Sequence, residues 1–320
     1  MKRRSVARAG IAGGLALIFS IAPLVAAEIE RSFDVGAGGT LLVEAEGTTI
    51  EIVGSGSGGA RVELERRRGT GAIEDDYRVS IEQRGNDVVV GIEKRDRGLR
   101  WSWRNQGLAL TVTVPERYSV DASSSGGSIT VDSLVGEVDV RTSGGSIAVD
   151  DIEGSVVAKT SGGSIRVGAV TGDAEVATSG GSITVGAAQG RVRATTSGGS
   201  ITIESGAEVI ARTSGGSIEV REVRGAIDAS TSGGTVRAYL SEQPAADCRL
   251  SSSGGSVDVV LAEDLALALD AEASGGRVST DLPVEVTGTL SSTRLRGSLN
   301  GGGPELRLRS SGGGVRIRSR

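Results

Sequence analysis

Histidine is absent from all 320 residues. Its absence removes the side chain most often used as a general base or metal ligand, and with it the Ser-His and Cys-His routes to an activated nucleophile. Cysteine occurs once, at Cys248, so no internal disulfide can form; a lone thiol of this kind reads as a small buried hydrophobe. Aromatic residues make up only 2% of the chain, and proline occurs five times. A core without bulky rings must be narrow, filled by Val, Ile, Ala and Thr. Beyond Ala27 no apolar run is long enough to span a bilayer as a helix.

What the chain does contain is glycine, 51 residues of it, among hydrophobic residues that make up 38% and often alternate with polar ones. Alternation punctuated by turn formers indicates a folded, β-rich protein rather than a disordered one. The start of the chain reads as an export leader. Lys2, Arg3, Arg4 and Arg8 precede a mostly apolar stretch from Ile11 to Val25, and Val25 and Ala27 satisfy the small-residue rule for cleavage after Ala27. An uncleaved anchor is the alternative, but Gly13, Gly14 and Pro23 interrupt the stretch. The mature protein is therefore expected outside the cytoplasm, in the periplasm, on the cell surface or secreted, with no membrane-spanning segment. The formal charge is −5, and the four leader cations leave −9 for the rest. Residues 291–320 hold seven arginines against Glu305, a net +6, so residues 28–290 sum to −15.

The main organising feature is a repeat. GGSITVDSLVGEVDVRTS starts at Gly126, and units of the same length follow at Gly144, Gly162 and Gly180, a period of eighteen positions. The unit starting at Gly198 is one position shorter, and the one at Gly215 returns to the full period. Those starting at Gly233 and Gly254 are three positions longer. Gly275 and Gly312 are 37 apart, room for two coils. Each unit contains two short strands, SIxV and VxVxT, whose apolar residues fall on one face. Such a unit cannot bury that face alone; stacking copies solves the problem. The expected fold is all-β: a β-solenoid of about ten 18–21-residue coils with an irregular N-terminal β cap. Columns of like residues should result, one through Ile129, Ile147, Ile165, Ile183, Ile201 and Ile218. Another runs through Thr142, Thr160, Thr178, Thr196, Thr213 and Thr231, whose hydroxyls could satisfy one another. The glycine pairs are expected to supply positive φ. Asp173 should lie beside Arg191, and Glu175 beside Arg193. A sandwich of ordinary hairpins is the competing architecture.

Residues 28–120 lack the unit but still alternate, as in TLLVEAEGTTIEIVG and LALTVTVP, and read as an antiparallel region covering the first coil. The domains are thus a leader at 1–27, a cap at 28–120 and a solenoid at 121–320. The C-terminal ELRLRS and VRIRSR strands, with arginine at alternate positions, read as guards against edge pairing.

An export leader, an irregular β region, a strand ending in Val114-Pro115 and then tandem SGGSIxV coils resemble the bacterial DUF4097 family, whose members carry an adhesin label. The resemblance spans about residues 40–320. It implies a β-helical fold and an envelope or surface role, and it brings no catalytic residues and no cofactor.

Candidate chemistry is sparse. A calcium β-roll needs GGxGxD, but Ile follows Gly-Gly-Ser here. Asp132 and Asp150 lie one period apart with Asp151 adjacent, a spacing that could serve a retaining glycosidase or hold a cation, or be solvated surface. Trp101 and Trp103 share a strand face and could stack on sugars or pack against the first coil. Arg307, Arg309, Arg316 and Arg318 could bind an anionic envelope polymer. Nucleic acid does not suit an exported chain with an acidic body. The expectation is a non-catalytic envelope or surface protein acting as an adhesin-like binding or structural rod. Its partner would be an envelope polymer, a glycan or a surface protein. End-to-end self-assembly and a polysaccharide-active β-helix enzyme are the alternatives.

Overall fold

The computed structural model describes residues 28–68, 71–95, 107–286 and 291–320. The expected leader and the Trp101/Trp103 pair lie outside the described residues. Two long sheets, of 14 and 15 strands, carry the coils. The SIxV strands stack in the first: Ile147 is level with Ile129 on one side and Ile165 on the other. The VxVxT strands stack in the second, where Val140 is level with Ala122 and Ala158. All these pairings are parallel, which excludes the hairpin sandwich. The isoleucine column from Ile129 to Ile218 is at most 1% exposed. Along one wall a narrow third ladder joins Leu134, Ile152, Val170 and Ala188, all buried.

The glycine pairs do not work as expected. None of the second glycines in these pairs has a positive φ. What they provide is room. A Cβ on Gly145 would lie 2.1 Å from the carbonyl oxygen of Gly127, and the same distance recurs for Gly163, Gly181, Gly199 and Gly216 over the preceding turn. The turns stack so closely that any side chain would strike backbone. The threonine column also differs from expectation. Its hydroxyls do not bond one another; each donates to that same glycine carbonyl, Thr142 to Gly127, Thr160 to Gly145 and Thr178 to Gly163, all at 2.8 Å. Ser252 and Ser310 do the same to Gly234 and Gly255 at 2.6 and 2.9 Å. A backbone carbonyl turned away from the ladder is thereby satisfied inside the structure.

Coil order departs from chain order at both ends. The strands Gly39–Ala45 and Thr48–Ser55 form a coil wedged, in parallel, between the coil starting at Tyr118 and the one formed by Asp87–Lys94 and Leu108–Pro115. Of the region expected to be antiparallel, only the outer strands are so. Tyr77–Arg84 pairs with Asp87–Lys94, Ala60–Arg66 with Leu108–Pro115, and Glu28–Phe33 with Ala60–Arg66. At the other end, Glu305–Ser310 and Val315–Ser319 enter between the coils of Cys248–Leu261 and Leu267–Thr280. Arg294–Leu299 then pairs antiparallel with Leu267–Ala273, and Glu285–Val286 ends the 15-stranded sheet beyond it. The arginine strands read as edge guards are thus interior, and the Gly312 turn lies between those of Gly254 and Gly275.

Two pairs of substitutions test this packing. Gly163→Ala should cost about 1–3 kcal/mol by overpacking, whereas Gly56→Ala, with nothing within 4 Å of the new Cβ, should be neutral or stabilising by up to about 1 kcal/mol. Thr178→Val should lose about 1 kcal/mol and Thr178→Ser much less, read as shifts in the urea midpoint.

Candidate functional site

The charged outer faces sort into groups with internal partners and groups without. Asp270 is 8% exposed and lies beside Arg307 of the inserted coil and Arg296 of the antiparallel strand Arg294–Leu299. It pairs with Arg309, with Arg296 at 3.3 Å and with Arg307 at 3.9 Å. Arg307 also pairs with Glu305 at 2.8 Å, and Glu272 accepts from Arg294 at 2.7 Å. On the other sheet, Asp258 lies between Arg316 at 3.5 Å and Arg237 at 3.8 Å. Three of the four candidate arginines are therefore held by carboxylates of neighbouring coils. Arg318 is exposed and level with Val260, and no ion pair reaches it among the described residues. Burial alone would raise the Asp270 carboxyl, but the hydrogen bonds and charges of Arg309 and Arg296 outweigh it and hold the group below its ordinary value.

In mid-rod, Glu175 is level with Arg193 as expected, but its ion pair is with Lys159 at 2.7 Å. Asp173 accepts the backbone N–H of Arg191 at 2.8 Å, and the Arg191 side chain turns to Glu208 at 2.9 Å. Each side chain leans along the stack toward the nearer opposite charge. Cys248 is buried, and burial pushes its thiol up.

The carboxylates near Asp150 are arranged differently. Asp132 and Asp150 are level, as their period requires. Asp132 accepts from the Ser133 hydroxyl at 3.0 Å, and Asp150 from the Asp151 N–H at 3.2 Å. The Asp150 carboxylate also lies over Gly168, where a side chain would collide with it. Ser133 and Asp151 adopt φ of 59° and 49°, a left-handed kink. The next two coils have glycine, Gly168 and Gly186, at the level of Asp150. The buried residues beneath shrink from Leu134 and Ile152 to Val170 and Ala188. A groove of about 400 Å³ results over this wall. Its floor includes Ala169, Ala187 and the backs of Ile152 and Val170; Glu116, Asp151 and Glu153 stand at its rim. No ion pair reaches these three carboxylates among the described residues. Sequence reasoning singled out Asp151 but not Glu116 or Glu153, because Glu116 joins the rim only through the Val135 N–H donating to its carbonyl at 2.7 Å. A further acidic group, Glu28, Glu30 and Glu63, forms at the antiparallel end, bridged by Arg61.

Stacked parallel coils with an irregular first end define a β-solenoid. The family model described as Toastrack DUF4097 matches residues 40–318, and the chain belongs to that family. No curated protein matches it. Solved structures that resemble it include a "putative adhesin" from Bacteroides fragilis, 12% identical, covering 92% of this chain and 97% of that one with a TM-score of 0.30. A "putative cell adhesion protein" from Clostridium sporogenes is also 12% identical, covering 92% and 100%, with a TM-score of 0.24. At these TM-scores nothing further rests on either likeness.

The arginine clasp sets a pH dependence. A carboxyl depressed in the folded state contributes stability above its unfolded value, near 4, and loses it as pH falls further. Asp270→Asn should lower stability at pH 7 by about 1–3 kcal/mol and shrink the loss seen between pH 5 and pH 2.5, measured by thermal melts across that range.

Proposed function

We propose that this chain is an exported, non-catalytic envelope or surface protein: a rigid rod that binds a partner laterally, in an adhesin-like way. The observation that carries this reading is the groove over Ile152 and Val170, a concave and partly apolar surface whose rim charges lack ion-pair partners among the described residues. Surfaces of that kind mark binding sites more often than solvated faces do. Membership of the family and the basic-then-apolar leader ending at Ala27 support the envelope assignment. The lack of histidine, and the engagement of Asp150 with its own loop, favour binding over catalysis. Envelope polymers, glycans and surface proteins are the partner classes that fit.

A second reading, end-to-end self-assembly, is favoured by the outer edges of Glu28–Phe33 and Val278–Thr280, which terminate the 14-stranded sheet.

Tagged protein expressed in a bacterial host should be recovered outside the cytoplasm with Glu28 as its first residue. Cytoplasmic recovery with the leader intact would remove the export part. Failure to bind cell-wall, lipopolysaccharide or glycan arrays above background, together with failure to retain any envelope protein, would remove the binding part. Sedimentation showing only monomer at high concentration would remove the second reading.

A further inference from the structure

The groove's chemistry selects among the partner classes. Glu116, Asp151 and Glu153 concentrate negative charge along one rim, and no arginine or lysine lines the groove among the described residues. Elsewhere on the rod, carboxylates such as Glu175, Glu208, Asp258 and Asp270 have been given a cation from a neighbouring coil. The three rim acids carry no ion pair among the described residues and stand beside an apolar floor. The floor supplies exposed Ala169 and Ala187, small enough to admit a main chain or a side-chain stem.

We infer that this groove docks an extended, lysine- or arginine-bearing peptide segment of a partner protein. The spacing supports it. Val135 donates its N–H to the Glu116 carbonyl and Gly136 donates to that of Glu153, which puts these two glutamates on either side of one coil. Two inter-strand steps separate them by about 10 Å, a span that two same-face residues of an extended peptide, about 7 Å apart at the backbone, bridge with long side chains. Cations two positions apart, which project to the same face, would meet both rim carboxylates, while the lysine or arginine stems cover the alanine floor. A neutral glycan would leave the carboxylates without a cation, and an anionic polymer would be repelled. The inference rests on the lateral-binding reading but not on export, so purified protein tests it without reference to location.

The test uses a fluorescein-labelled nonapeptide with lysine at alternate positions and valine or alanine between, followed by anisotropy at low salt. Saturable binding is expected, weakened by raising salt, because exposed charge pairs are screened. Asp151→Asn with Glu153→Gln should weaken it at least tenfold; asparagine tolerates the left-handed backbone at that position. Ala169→Arg, which fills the floor with a cation, should do the same. Glu219→Gln, in the same sheet but two coils beyond Ala187 and not lining the groove, should leave it unchanged. A matched peptide with glutamate in place of lysine should not bind. Unaltered circular dichroism would show that the variants fold. Equal binding by all variants, or no saturable binding by wild type, would overturn the inference. So would a dimer that forms without peptide and dissociates in the double variant, since the occupant would then be a second copy.

Discussion

A single backbone oxygen sets the geometry of this rod. The carbonyl of the second glycine in each turn presses against the next turn's glycine at a distance no side chain could share, and it accepts the hydroxyl of the next coil's threonine. Both requirements are local, both recur from the turn of Gly145 to that of Gly313, and together they account for the TSGGS signature better than backbone flexibility does. Turn compactness fixes the coil spacing at the corner, and the parallel ladders carry that spacing across both sheets. Serine can take the hydroxyl role, as at Ser252 and Ser310, and in the coil of residues 39–55 the accepting carbonyl is that of Thr48, which takes the bond of Ser124.

Much of this was legible from spacing alone. Register followed from the period, and Ile147 is level with Ile165 because they stand one full repeat apart. What the period could not reveal was the order of coils where the repeat breaks. The segments 39–55 and 305–319 alternate like any other strands, and nothing in alternation says that each will slip between two coils that are consecutive in the chain. The reason is electrostatic at the C-terminal end. Arg307, Arg309 and Arg316 need carboxylates at their own level, and Asp258, Asp270 and Glu272 supply them only from the inserted position. An arginine-rich strand that looked like edge protection is stabilised as an interior coil by the acids it meets.

That arrangement also changes how the basic C-terminus should be regarded. Its net charge suggested a surface for anionic ligands, yet most of it is neutralised within the fold. Charge counted along a sequence reports on partners only after the internal pairs have been removed, and here their removal shifts attention from the arginines to the acids at Glu116, Asp151 and Glu153.

Repetition explains why the groove stands where it does. A run of identical coils presents identical walls, and an identical wall offers no place for a ligand to choose. Selectivity needs a break in the pattern. Between the coils of Leu134 and Ala188 the buried residues taper, the left-handed residues Ser133 and Asp151 give way to Ala169 and Ala187, and the rim acids carry no ion pair among the described residues. Each change is tolerable because the glycine–threonine corner, on the opposite turn, does not depend on this wall. The stacking constraint thus confines variation to the side of the coil that it leaves unconstrained, and the concave surface with its uncompensated acids lies on that side.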